Sequence, residues 1–104
     1  MRVVQVLGKG KIVKFQKKHP QSRGLLSAWV FDVEKATWAT TEDIKAKYPH
    51  ASFLPDNQVI FNIGGNKFRL EVKVEYSYEK ILVLDVNTHA EYDKKNKKRN
   101  SSKK

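Results

Sequence analysis

The chain has 104 residues, the length of a single domain, and 39% of them are apolar, which is enough for one modest core. It contains no cysteine, so disulfide scaffolds, thiol nucleophiles and zinc–thiolate sites are excluded, and its three histidines are scattered rather than clustered as metal ligands. The apolar stretches are far shorter than a membrane span, and the N-terminus lacks the pattern of a signal peptide. We therefore expect a cytoplasmic protein that needs no cofactor and contacts no membrane.

The net charge of +10 is unevenly distributed. Residues 94–104 hold seven cations and no acid, whereas residues 1–93 hold 14 cations and 11 acids. We predict one domain over residues 1–93 and a basic, flexible tail over residues 94–104. A basic chain is typical of proteins with a polyanionic partner, although the tail would equally serve as a solvated extension that aids solubility.

The first half of the chain predicts one strand and three helices. Arg2–Leu7 is rich in β-branched residues and predicts a strand. A basic helix follows from Lys11 and ends before Pro20. Ser22 is placed to cap a second helix with apolar residues at helical spacing, and Thr40 or Thr41 is placed to cap a third. The residues expected to be buried on these two helices are Leu26, Trp29, Val30, Val33, Ile44 and Tyr48.

After Pro49 the spacing of apolar residues changes to the alternation of strands. Ser52–Leu54 predicts a short edge strand, and the two strands Gln58–Ile63 and Asn66–Tyr76 flank Gly64-Gly65, a strong hairpin signal. A two-residue turn at these glycines would place Phe61 opposite Phe68. Ile81–Val86 predicts a central strand, and pairing Val74 with Leu84 would bring Arg69 near His89.

Thr88 is placed to cap a final short helix. Helices followed by an antiparallel meander predict an α+β fold, in which N-terminal helices pack on a C-terminal antiparallel sheet that ends in this short helix.

Polar residues of the predicted sheet offer a set of groups suited to RNA cleavage. One face presents Asn62, Lys67, Arg69 and Lys73, and the end of the last strand presents Thr88, His89, Tyr92 and Asp93. Cleavage through the 2′-OH needs a base, cations on the phosphate and an acid for the leaving oxygen, and it needs no metal. A hairpin with alternating charges is also typical of an ordinary solvated face.

Two segments carry a resemblance to a known family. They are Phe61-Asn62-Ile63-Gly64-Gly65-Asn66-Lys67-Phe68-Arg69-Leu70 and Asp85-Val86-Asn87-Thr88-His89-Ala90-Glu91-Tyr92-Asp93. Their order and spacing resemble the HigB-type toxins of the RelE/ParE toxin superfamily. The resemblance covers most of residues 10–93, and it implies the RelE-like toxin fold.

The resemblance implies the toxin of a type II toxin–antitoxin system. Such toxins are endoribonucleases that cut messenger RNA, commonly on a translating ribosome, and a HigA-like helix-turn-helix antitoxin neutralises them. It implies His89 as general acid or base, Tyr92 as its partner or a stacking platform, and Arg69 and Lys67 as catalytic phosphate contacts. The resemblance also implies that Asp93 orients a neighbouring residue. The RNA-binding set is completed by Asn62, Lys73, Asp93, Lys94 and Lys95, and Asn66 is a further candidate.

Each of these assignments has a plainer alternative. His89 could simply pack at the start of the last helix, Tyr92 could be a core-edge residue, and Arg69 could pair with Glu71 on the surface. The alternative function is a non-catalytic basic module that binds RNA or the ribosome.

Overall fold

The computed structural model describes residues 5–36, 38, 40–65 and 67–102, which form four α-helices and one five-stranded sheet. The predicted α+β class is confirmed. The elements in chain order are β1 (Gln5–Leu7), α1 (Lys9–Lys18), α2 (Arg23–Lys35), α3 (Thr41–Lys47), β2 (Ser52–Leu54), β3 (Gln58–Ile63), β4 (Phe68–Glu75), β5 (Lys80–Thr88) and α4 (His89–Ser102). The predictions for residues 2–4, Asn66 and residues 103–104 lie outside the described residues.

The sequence signals correctly place the end of α1 and the starts of α2 and α3, whereas α1 begins at Lys9, two residues before its predicted start at Lys11. α1 ends one residue before His19-Pro20, and α3 begins with a capping box in which Thr40 and Asp43 bond each other's backbone N–H groups. Ser22 directly precedes α2, but its hydroxyl donates to the His19 carbonyl at 2.7 Å and caps no helix N–H. The predicted boundary is therefore correct, whereas the predicted capping bond is wrong.

The strand order in the sheet is β1-β5-β4-β3-β2. Strands β2 to β5 form the predicted antiparallel meander. β1 adds to the far edge of β5 in parallel, with Gln5 opposite Lys80 and Leu7 opposite Leu82. The sheet is therefore mixed, because the chain leaves β1 through a helix before it returns.

The hairpin between β3 and β4 is present, but its predicted register is wrong by two residues. Both Gly64 and Gly65 have positive φ, at 65° and 71°, as a tight turn requires. Lys67 is also part of the loop, so Phe61 pairs with Leu70 and Asn62 pairs with Arg69. A shift of two residues leaves each side chain on its predicted face, because the side-chain period of a strand is two.

The register between β4 and β5 also differs from the prediction: the turn shifts the pairing by three residues, so that Val74 pairs with Ile81, and a β-bulge in β5 then reduces the shift to two, so that Arg69 pairs with Asn87. Glu71 pairs with Asp85, whereas the next residue, Val72, pairs with Val83, which leaves Leu84 as the extra residue. The Lys11 ammonium donates to the Leu84 carbonyl at 2.9 Å. Val83 is buried before the bulge and Val86 is buried after it, so the alternation of buried and exposed side chains along β5 changes phase at the bulge. Side chains near the end of the strand therefore lie on the opposite face from the one that unbroken alternation would give them.

The core lies between the sheet and the helices α1 to α3. Trp29 is 2% exposed and packs edge-on against Phe61, which also stacks with Trp38. The predicted core residues Leu26, Val33 and Ile44 are fully buried. Among the described residues, no helix has both the length and the apolar character that a membrane crossing requires.

Candidate active site

The site forms where the end of β5 passes into α4. Thr88 and Glu91 form a capping box, in which the Glu91 N–H donates to the Thr88 hydroxyl and the Thr88 N–H donates to the Glu91 carboxylate. The His89 N–H donates to the carbonyl of Lys67 in the hairpin loop at 2.9 Å. The first turn of α4 is therefore fixed to both the last strand and the hairpin, and the His89 side chain is not needed to cap the helix.

Arg69 and His89 are in direct contact. The Arg69 Nη2 atom lies 2.9 Å from His89 Nδ1, and His89 Nε2 lies 3.0 Å from an Asp93 carboxylate oxygen. The predicted proximity of Arg69 and His89 is confirmed, although the register from which it was predicted is wrong. Because arginine only donates, Nδ1 must accept, and the imidazole proton is on Nε2, where Asp93 accepts it. Asp93 therefore selects the tautomer that leaves Nδ1 as a base.

Tyr92 lies beneath the guanidinium of Arg69, whose central carbon is 5.8 Å from the centre of the tyrosine ring. This is a cation–π distance. The second terminal nitrogen of Arg69, Nη1, is buried and has no hydrogen-bond partner among the described residues. Arg69 is thus held by a ring and an imidazole while one of its donors remains unused. The described contacts of Arg69 are with His89 and Tyr92, and Glu71 is in contact with Lys95.

The outer face of the sheet carries a row of polar residues across three strands. Asn62 of β3 is opposite Arg69 of β4, which is in turn opposite Asn87 of β5. The Asn62 side chain donates to the His50 carbonyl at 3.2 Å, and the Asn87 side chain donates to Asp85 at 3.1 Å. The sequence prediction missed Asn87, because only the bulge in β5 places it beside Arg69.

The predicted lysines do not share one location. Lys67 is exposed in the hairpin loop beside the start of α4. Lys73 lies four residues along β4 from Arg69 and is 3.9 Å from Glu75, so it is outside the cluster. Lys94 is exposed. Lys95 contacts two carboxylates, Glu71 at 2.7 Å and Asp85 at 2.8 Å.

The carboxylate pair Glu71 and Asp85 was missed by the sequence prediction. Glu71 is 7% exposed although it is charged, and it lies directly opposite Asp85. Partial burial by itself raises the pKa of Asp85, but hydrogen bonds from Lys95 and Asn87 outweigh it, so the pKa lies below its ordinary value. Burial likewise lowers the pKa of Lys95, and its bonds to Asp85 and Glu71 raise it overall. A glutamate in an alternating strand carries no sequence signal of such burial.

A comparison with protein families identifies the class to which the chain belongs. Residues 22–95 match the family described as HigB toxin, the RelE-like toxic component of a toxin–antitoxin system. This segment includes every predicted site residue. The chain belongs to this family of RelE-like toxins.

Individual relatives carry names that specify an activity. The chain is 32% identical over 78 residues to the mRNA interferase toxin HigB of Escherichia coli K12, which covers 73% of this chain and 75% of that protein. The mRNA interferase HigB of Shigella flexneri gives the same values. The mRNA interferase HigB of Escherichia coli O6:H1 is 22% identical over 93 residues, covering 88% of this chain and 90% of that protein.

Proposed function

We propose that this chain is an endoribonuclease that cleaves messenger RNA, without a metal, by attack of the 2′-OH on the adjacent phosphate. The observation that carries this proposal is the contact chain from Arg69 through His89 to Asp93, because it presents a basic nitrogen beside a cation. The names of the relatives, which are mRNA interferases, support messenger RNA as the substrate.

In the proposed reaction His89 is the general base. Its Nδ1 atom removes the proton of the 2′-OH, and the ring becomes an imidazolium. Asp93 stabilises this cation by accepting the hydrogen bond from Nε2. The 2′-oxygen then forms a bond to phosphorus, the bond from phosphorus to the 5′-oxygen breaks, and the 5′-oxygen takes up a proton. The products are a 2′,3′-cyclic phosphate and a 5′-hydroxyl.

Arg69 has the proposed role of stabilising the phosphorane. A guanidinium can donate two parallel N–H groups to two phosphate oxygens, and Nη1, which is buried and has no partner within the described residues, becomes available for this when the guanidinium moves. When a phosphate draws the guanidinium from His89, Nδ1 becomes free to accept the substrate proton. Lys67 adds a second cation from the hairpin loop, and Tyr92 supports the guanidinium or stacks on a base.

The proposal places this activity within a toxin–antitoxin system, on the translating ribosome and in the cytoplasm. The family description supports an antitoxin partner, which we propose is HigA-like with a helix-turn-helix. The net charge of +10 supports binding to the ribosome, whose surface is rich in phosphate. The basic tail of residues 94–104 stays a prediction, as do the roles of Asn62, Lys73 and Lys94.

The decisive test is single-turnover cleavage of ribosome-bound message by the wild type and His89→Gln. Glutamine keeps similar size and hydrogen bonding but exchanges no proton at neutral pH, so we expect a rate loss of about 10²–10⁴. End-group analysis of the wild-type product should show a 2′,3′-cyclic phosphate or the 3′-phosphate from its hydrolysis.

His50→Gln is the matched control, because His50 is exposed and only its backbone carbonyl contacts Asn62. It should cleave at the wild-type rate. A wild-type rate in His89→Gln would remove the imidazole from the mechanism, and a 3′-hydroxyl product would remove the 2′-OH attack. A wild type that binds but never cleaves would favour the non-catalytic binding module.

A further inference from the structure

The helix that carries the site residues is anchored by one ion cluster. His89, Tyr92 and Asp93 all lie in the first two turns of α4. Lys95 follows on the same helix and is bonded to Glu71 of β4 at 2.7 Å and to Asp85 of β5 at 2.8 Å. The side chain of Glu71 is only 9% exposed and that of Lys95 is 32% exposed, so water screens this cluster less than an ordinary surface pair.

The spacing of the contacts shows how α4 lies on the sheet. His89 is above Arg69 and Lys95 is above Glu71, two residues further along β4. Six residues of helix rise by about 9 Å, and two residues of strand advance by about 7 Å. α4 therefore runs back over the outer face of the sheet, with its first contact at Arg69 and its second at the Glu71–Asp85 pair.

We infer that Lys95 is a positioning residue, which holds α4 on the sheet so that His89 Nδ1 faces Arg69 and the ring of Tyr92 lies under the guanidinium. This inference rests on the proposed function, and it assigns to Lys95 a role other than RNA contact. The two carboxylates that accept hydrogen bonds from its ammonium lie on neighbouring strands of the sheet, directly opposite each other. Without the lysine, two adjacent negative charges would face the helix, one of them nearly buried.

The charge state of the cluster is fixed at neutral pH. The pKa of Lys95 is raised above its ordinary value and that of Asp85 lies below its own, so both stay charged throughout the neutral range. Asn87 donates to the same Asp85 oxygen, Oδ2, that receives the Lys95 ammonium, so it supports the cluster without replacing the cation. The anchoring of α4 is therefore independent of the pH range in which an imidazole exchanges its proton.

The test compares Lys95→Met and Lys95→Arg with the wild type in steady-state cleavage of RNA. Displacement of a catalytic group by about 1 Å costs up to 10²-fold, so we expect Lys95→Met to lower kcat by roughly 10- to 100-fold with little change in KM. Lys95→Arg should retain most of kcat, because it keeps the cation. Lys47→Met, on the exposed face of α3, removes one charge elsewhere and should leave kcat and KM unchanged.

A second readout does not depend on cleavage. The ¹⁵N chemical shifts of the His89 ring distinguish the nitrogen that carries the proton from the nitrogen that does not. The wild type should show a single tautomer protonated on Nε2, and Lys95→Met should show a mixture of tautomers. If the wild type cleaves no RNA, the proposed function fails, whereas the tautomer comparison still tests the positioning role.

Two results would overturn the inference. A raised KM with a shallower salt dependence and an unchanged kcat would identify Lys95 as an RNA phosphate contact. If Lys95→Met does not fold, the double variant Glu71→Gln, Lys95→Met decides, because it removes both the ammonium and the nearly buried negative charge to which the ammonium is bonded. We expect this double variant to fold and to cleave slowly, and a wild-type kcat in it would contradict the positioning role.

Discussion

Arg69 connects two elements that are distant in sequence. Its guanidinium lies between the imidazole of His89 and the ring of Tyr92, both on α4, while its backbone is held in the middle of the sheet. The guanidinium is therefore placed beside the base before any substrate arrives, and a phosphate has only to exchange with the imidazole for its N–H groups. A planar fork is preorganised for a tetrahedral phosphate in a way that a flexible ammonium is not.

Arg69→Lys keeps the positive charge and removes the fork. Loss of one preorganised donor costs about 10²–10³ in rate, and the retained charge offsets part of that, so we expect single-turnover cleavage to slow by roughly 10- to 100-fold. Urea unfolding should report a folded protein. Cleavage as fast as in the wild type would show that charge alone, without the paired donors, stabilises the transition state.

The sequence was sufficient to predict which residue types assemble at the site, but not every contact they make. His89, Asp93 and Arg69 follow from the two motifs and meet as expected. The contacts of Lys95 do not follow from the motifs, because a lysine in a basic run gives no sign that two carboxylates on two strands of the sheet will face it. Such a pairing depends on strand register, which a single sequence specifies poorly.

The turn from β1 to α1 passes close to the backbone of β5 at Gly8. Gly8 has φ of 83°, and a Cβ there would lie 3.0 Å from the carbonyl oxygen of Val83 on β5. The left-handed conformation and the backbone contact both oppose a side chain. Gly10, two residues later inside α1, has open space around it.

Gly8→Ala should therefore lower the free energy of unfolding by about 1–3 kcal/mol. Gly10→Ala is the matched control and should raise it by up to about 1 kcal/mol, because alanine favours helix. Urea denaturation midpoints of the two variants measure the difference. Equal midpoints would mean that the turn accommodates the added methyl group at position 8 without a loss of stability.

Element boundaries were more predictable than strand pairing. The proline and glycine signals placed the ends of α1 and the β3–β4 hairpin, because these residues act locally on the backbone. The pairing of Val72 with Val83 depends on the bulge at Leu84, which is stabilised by Lys11 from a distant helix. The parallel position of β1 is likewise a long-range choice that no local pattern encodes.

The ionic contacts of the whole molecule limit its stability at both ends of the pH scale. The Thr88 N–H lowers the pKa of Glu91, and the Lys95 cluster lowers that of Asp85 despite partial burial. Both contributions are present above about pH 4 and are lost as pH falls through the folded-state pKa values. At the alkaline end, burial and Asp32 raise the pKa of Tyr48 to about 12, and that of Lys95 is also raised.

We therefore expect a plateau of stability from about pH 5 to pH 10, with a fall on either side. On the alkaline side, the contributions of Tyr48 and Lys95 are present below about pH 10 and are lost as pH rises through their raised pKa values. Urea midpoints measured from pH 3 to pH 11 test this, and Asp85→Asn should flatten the acid side. A midpoint at pH 3 equal to that at pH 7 would show that these carboxylates do not stabilise the fold.

The parallel pairing of β1 with β5 means that the sheet can be completed only after β5 has been synthesised. The ribosome makes Gln5 75 residues before its partner Lys80, and it makes the helix that starts at His89 later still. Until then β1 has no strand to pair with, and Arg69 has no imidazole beside it. Closing such a distant contact is slow compared with local helix formation. The sheet is therefore completed only after β5 has been made, and the contact between Arg69 and His89 forms only after the start of α4 has followed it.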